Sequence, residues 1–205
     1  MAKSKLEGLR VAILATDGFE QSELMEPRQA LDAAGAMTDV VSPRGDPIRG
    51  WRHKEWSESV DVDETLDDVD PSDYDALLLP GGAMNPDALR MQPQAVAFVK
   101  AFFDTGKPVA AICHGPWMVV EAGAVAGRRM TSWPSLKTDI RNAGGEWVDE
   151  QVVVEDNLVT SRKPDDLPAF NREMIALFTG SLVQVRGARP RGADTGEHAP
   201  STRRH

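Results

Sequence analysis

Apolar positions along this chain fall into short continuous runs, separated by stretches in which they recur every three or four residues. The run 9–15 reads as a buried strand rich in branched side chains, and Thr16-Asp17-Gly18 supplies turn chemistry after it. From 20 to 34 the residues Leu24, Arg28, Leu31 and Ala34 share a helical face, which Gly35 ends. Met37–Ser42 is a second strand, closed by Pro43. Residues 43–75 are more polar and carry Trp51, His53 and Trp56 before an acidic run, so a small hairpin or irregular excursion is expected. Its tryptophans either form a partner surface or, as is commoner, are buried beneath the loop.

Ala76–Leu79 is again a buried strand, followed at once by Pro80-Gly81-Gly82. A helix is expected over 93–105, with Val96, Val99, Phe102 and Phe103 inward and Gly106 as its stop. Strand 109–112 follows, then a helix that opens at Gly115-Pro116 and ends near Gly123. Residues 129–131 form a short strand, and Ser135 is expected to cap a helix with Leu136, Ile140 and Ala143 inward. Strands 151–154 and 158–161 flank the turn Glu155-Asp156-Asn157. A last helix opens at Asp165 and Pro168 and aligns Phe170, Met174, Leu177 and Phe178. Strands alternating with helices imply an α/β fold with a mainly parallel sheet covered on both sides, whose sites lie at the carboxyl ends of the strands.

Residues 1–8 read as an N-terminal lead and 9–185 as a single domain. Beyond 185 the composition turns to Gly, Ala, Pro, Arg, Thr and His, so 186–205 is expected to be a disordered tail. The formal net charge of -9 would repel a phosphate backbone, and no nucleic-acid role is expected. No segment is long and apolar enough to span a membrane, and the N-terminus lacks the apolar stretch of a signal peptide. One cysteine in 205 residues excludes an internal disulfide and a cysteine-cluster metal site, which suits a reducing cytoplasm. Neither a metal nor a cofactor is expected.

That cysteine sits in Val109-Ala110-Ala111-Ile112-Cys113-His114-Gly115-Pro116, at the bend between strand and helix. Such a bend lifts its residue above the sheet edge and aims a helix N-terminus at it, so the Cys113 thiol is expected to ionise readily. Small neighbours are needed at the bend, and Gly115 is one. Gly81-Gly82 leaves backbone N–H groups free to hold a carbonyl oxygen or oxyanion. Glu20 follows the first strand. A glutamate in a first helical turn ordinarily serves the helix dipole, but a carboxyl facing Cys113 would share a proton with the sulfur. Nucleophile, adjacent proton carrier His114 and amide donors together suit attack on a carbonyl carbon.

Asp17-Gly18-Phe19-Glu20-Gln21-Ser22-Glu23, Tyr74 to Gly82 and Ala110 to Pro116 closely resemble the ThiJ/PfpI family. Gly144-Gly145-Glu146-Trp147-Val148-Asp149 and Val159-Thr160-Ser161-Arg162 add to the likeness. The resemblance implies a flavodoxin-like three-layer sandwich with a nucleophile elbow, related to class I glutamine amidotransferase domains. It implies Cys113 as nucleophile, His114 as its base, Glu20 as the carboxyl against the sulfur, and the Gly82 and His114 amides as oxyanion donors. It further implies a homo-oligomer with the site near its interface, where Asp87 of a neighbouring subunit would orient His114. The chain departs from the pattern at Lys163, where relatives often carry histidine, and the Asp87 segment is one residue longer. The implied activity is a cysteine-nucleophile hydrolase acting on a peptide or on a dicarbonyl (methylglyoxal) adduct, with a stress-protection role. The alternative is a non-catalytic redox-sensing or chaperone-like stress protein that uses the same cysteine.

Overall fold

The computed structural model describes residues 5–188, with side chains to 181. In chain order its elements begin with β1 (Arg10–Leu14), β2 (Phe19–Glu20), α1 (Gln21–Ala33), β3 (Met37–Ser42), β4 (Ile48–Arg52), β5 (Glu55–Val60), β6 (Glu64–Thr65) and β7 (Ala76–Leu79). There follow α2 (Met84–Arg90), α3 (Pro93–Asp104), β8 (Val109–Ile112), α4 (Pro116–Glu121), β9 (Arg129–Met130), α5 (Lys137–Asn142), β10 (Glu146–Trp147), β11 (Val152–Glu155), β12 (Leu158–Ser161) and α6 (Leu167–Ala188).

Seven of the strands form one sheet in the order β11-β12-β8-β7-β1-β3-β6, parallel throughout except for the β11–β12 pair. The continuous apolar runs have a direct cause in this sheet. Ala12, Leu14, Leu77, Leu79, Val109 and Ala111 face a core shared with Phe98, Val99 and Phe102 of α3 and Met118 of α4. Their alternate neighbours Val11, Ile13, Ala76, Leu78, Ala110 and Ile112 face Leu24 and Leu31 of α1 and Phe170, Met174 and Phe178 of α6. Successive side chains on a strand point to opposite faces, and both faces are dry along the central strands β1, β7 and β8, so polar residues are shut out of them between Val11 and Leu14, Ala76 and Leu79, and Val109 and Ile112. Each fully buried side chain of this size stabilises the sandwich by about 1.5–3 kcal/mol. The carboxyl ends of β1, β7 and β8 are neighbours in this order, which brings the loops beginning at Ala15, Pro80 and Cys113 together.

The polar segment forms a hairpin of β4 and β5 that extends through β2 into a separate three-stranded sheet. Trp56 is 44% exposed there and meets Trp51 edge to face, so the loop does not bury its tryptophans. Ser135 does not cap α5; it sits within a single helical turn, Pro134–Leu136, that leads into that helix. The seven-residue α2 was not expected from the sequence. Leu6, in the expected lead, is fully buried and its N–H bonds the Ala34 carbonyl. The last helix runs to Ala188, and the rest of the expected tail, 189–205, lies outside the described residues. No helix among the described residues is long and apolar enough to cross a membrane.

Candidate active site

Cys113 leaves β8 with φ +61, in the left-handed region that a side chain rarely adopts. Its surroundings hold it there. The Cys113 N–H donates to the Ser161 carbonyl at 3.0 Å, and its own carbonyl accepts from the Trp133 N–H at 2.8 Å. Gly115 closes the bend with a 2.8 Å bond to the Ile112 carbonyl. A Cβ at position 115 would strike the Leu79 carbonyl and lie 2.9 Å from that of Ile112, so only glycine fits. The nucleophile elbow expected from the sequence is therefore formed.

The carboxyl against the sulfur is Glu23, not Glu20. Glu23 is 0% exposed, lies against the Cys113 side chain across Gly81, and accepts the Gly81 N–H through Oε2 at 3.0 Å, while its Oε1 is buried without a hydrogen-bond partner. The reason lies in β2. Glu20 pairs with Trp51 of β4 as a strand residue, so α1 begins one residue later and its inward face carries Glu23, Leu24, Pro27 and Leu31. Glu20 instead stands half-buried at the helix start, where its Oε1 accepts from the Ser22 hydroxyl at 3.4 Å. Burial raises its pKa against the pull of Ser22, His53 and Arg52.

Burial also pushes Glu23 up to about 8, helped by the charge of Glu20 and opposed by the bonds from Cys113 and Gly81. At neutral pH this carboxyl is therefore protonated and can donate to sulfur. The thiol is itself raised well above its ordinary range, first by burial and then by the Glu23 charge, while the Gly82 and His114 amides pull it down. That reverses the expectation of a readily ionised cysteine. Cys113 is only 7% exposed, and the six-residue α4 contributes too little to outweigh desolvation. The part of the rise owed to Glu23 disappears when that carboxyl is neutral, which leaves the two amides opposing burial alone.

His114 lies with Nδ1 3.2 Å from the sulfur and Nε2 3.4 Å from the Ser135 hydroxyl. Its ring stacks on Trp133, with centroids 6.0 Å apart, and tilts against Trp117 at 5.2 Å. Burial lowers its pKa, so it is a neutral imidazole able to take a proton from the thiol. Within the chain, the group on its far nitrogen is thus Ser135. Asp87 is exposed on α2. Gly81 and Gly82 line the other side of the sulfur. A Cβ on Gly81 would strike Glu23 and approach the Cys113 Cβ to 2.6 Å, while Gly82 has φ +80 and is pressed against the backbone of Gly18 and Glu20.

Beside this centre opens a cleft of about 680 Å³, lined by Glu20, Met25, Arg52, His53, Trp133 and Lys163 among others. Trp133, 39% exposed, forms both its wall and the stack on His114. His53, which the sequence gave no reason to place near the site, reaches the cleft from the β4–β5 turn with φ +58. Among the described residues no group of three or more His, Cys, Asp or Glu is placed to hold a metal ion.

The sequence model of the DJ-1/PfpI family matches residues 9–177, every strand of the sandwich and every residue of this centre. The chain belongs to the DJ-1/PfpI family. General stress protein 18 of Bacillus subtilis is 47% identical to it over 173 residues, which is 83% of this chain and 98% of that protein. Protein/nucleic acid deglycase 2 of Escherichia coli is 44% identical over 171 residues, 82% of this chain and 97% of the other. Among solved structures, a two-domain protein from Anabaena variabilis with DJ-1/ThiJ/PfpI-like and ferritin-like domains superposes with a TM-score of 0.78 at 34% identity, covering 92% of this chain and 52% of that one. DJ-1/PfpI membership and the flavodoxin-like sandwich agree with the sequence reading. The sequence places none of Glu23, Ser135 and Trp133 in the site and gives Ser135 the role of a helix cap, although Glu23 carries a usable signal as a carboxylate in the same stripe as Leu24, Pro27 and Leu31.

Proposed function

We propose that this chain is a cysteine-dependent hydrolase or deglycase of the PfpI type, with a role in stress protection. The observation that carries the reading is the sulfur of Cys113, held in a strained bend among a neutral imidazole, a buried carboxyl and two backbone amides. The deglycase and general stress protein names of its relatives support it. Cys113 gives its proton to His114 Nδ1 as the sulfur bonds to a carbonyl carbon. The carbonyl π pair moves onto oxygen, and the negative charge there is met by the Gly82 and His114 N–H groups as the sulfur turns toward substrate. His114 then returns the proton to the departing amine, and water releases the bound carbonyl fragment. A peptide and a dicarbonyl adduct on an amine share the first step. The cleft beside Trp133 would hold the amine-bearing part, being larger than a three-carbon dicarbonyl requires.

Purified protein incubated with methylglyoxal-treated amino acids and, separately, with casein measures the two activities against Cys113→Ala. Release of free amine or of peptides by the wild type and not by the variant is the expected result. Equal signals from both proteins would end the enzyme reading and leave the redox-sensing alternative. A site completed by Asp87 of a second subunit belongs to the same proposal. Its test is given in the Discussion.

A further inference from the structure

Asn85 is 0% exposed yet hydrogen-bonds none of the Cys113, His114 and Glu23 side chains. Its carboxamide is fully used. Oδ1 accepts the Thr16 N–H at 2.8 Å, and Nδ2 donates to the carbonyls of Pro80 and Gly81, each at 3.1 Å. The Thr16 bond fixes which end of the amide is oxygen. These two carbonyls belong to peptide planes of special interest. In a trans peptide the C=O and N–H point in opposite directions, so holding the Pro80 carbonyl on one side turns the Gly81 N–H to the other. Holding the Gly81 carbonyl does the same for the Gly82 N–H. The Gly81 N–H meets Glu23 Oε2 at 3.0 Å, and the Gly82 N–H lies on the side of the Cys113 sulfur, whose charged form it favours. One side chain thereby aims both donors, and through Thr16 it anchors them to the end of β1.

We infer that Asn85 is a positioning residue that clamps the Pro80–Gly81 and Gly81–Gly82 peptides so that their N–H groups face Glu23 and the sulfur. Gly82, with φ +80 and no side chain, has a backbone free to turn if it is not held. The Glu20 N–H shares the Gly81 carbonyl at 3.2 Å, but no other side-chain hydrogen bond to the Pro80 or Gly81 carbonyl is found among the described residues. The inference builds on Cys113 as the reactive group. It is read through the chemistry of the thiol and not through turnover, so it can fail while the proposed activity stands.

The sulfur is faced by Glu23 from α1 and by His114 beside it, with Glu20 further out, and these groups are unchanged in the test variants. Alkylation of Cys113 by iodoacetamide is followed from pH 5 to 10 in wild type, Asn85→Asp and Asn85→Ala, alongside circular dichroism and melting temperature. Asn85→Asp keeps the acceptor for Thr16 but sets an oxygen against two carbonyls. Both variants are expected to slow alkylation roughly tenfold at every pH below the thiol's midpoint, the equivalent of a rise of about one pH unit. A lower melting temperature with an unchanged alkylation rate would overturn the inference and leave Asn85 a structural brace. Should neither variant fold, nuclear magnetic resonance of the wild type decides. The Asn85 carboxamide and the Gly82 N–H should shift together when Cys113 is alkylated, and a carboxamide signal indifferent to that modification overturns the inference equally.

Discussion

Replacing Glu23 with glutamine keeps an acceptor for the Gly81 N–H and a donor toward the sulfur but removes the titration. The size of the effect follows from burial. In the unfolded chain Glu23 loses its proton near 4.5, whereas in the folded chain it keeps it up to about 8. Below 4.5 both states are protonated and the group makes no pH-dependent difference. Between these limits only the native state holds the proton, so the stability present at low pH is lost as pH rises, by at most about 1.4 kcal/mol per pH unit. Above about 8 the loss levels off. Glu23→Gln has no such slope, and relative to wild type it should gain roughly 2 to 3 kcal/mol between pH 5 and pH 7. Urea denaturation of both proteins at pH 5, 6, 7 and 8, with the slope against denaturant checked for constancy, measures the difference directly. Because every other carboxylate is common to the two proteins, the difference isolates this one group. Parallel stability curves would refute the reasoning, since they would mean that Glu23 ionises in the folded protein as it does in water.

Gly82→Ala should cost at least about 1 kcal/mol through the positive φ alone, with more from the collision with the Gly18 and Glu20 backbone, and should slow alkylation of Cys113; an unchanged melting temperature and alkylation rate would contradict the placement of this loop. For the composite site, Cys113→Ala and Asp87→Asn are each expected to be inactive alone and to regain part of the activity once their subunits are mixed. Verified mixed oligomers without activity would leave Asp87 outside the mechanism.

The elbow was legible because its signals are local. A branched apolar strand, a small-residue bend and a proline at the first helical turn all lie between Val109 and Pro116. The choice between Glu20 and Glu23 was not local. It turns on the pairing of Glu20 with Trp51, a contact across the chain that holds Glu20 extended and takes it off the helical stripe, leaving Glu23 to head the inward face. Trp56 was misjudged for a similar reason, since β5 forms the edge of a small separate sheet and has little to be buried against. Ser135 has the residue type of a cap, but its neighbours Pro134 and Leu136 fold into a tight turn that presents the hydroxyl to His114. The α2 helix hid in Asn85-Pro86, a pair that reads as a turn until the buried carboxamide of Asn85 is seen holding the strand ends.

The small sheet of β2, β4 and β5 divides the molecule into parts that can change independently. The sulfur, the imidazole and the amides are fixed by strands buried on both faces, where almost any substitution disturbs the sandwich. Arg52 and His53, on the cleft wall, belong to an exposed hairpin tied to the main body through the short β2 strand. Lengthening that hairpin at its turn, with the Trp51–Glu20 pairing kept, would redraw what the cleft admits and leave the nucleophile as it stands. A lineage carrying this architecture can therefore vary what its cleft admits by changing one turn, while the strand that reaches the reactive centre is inherited intact.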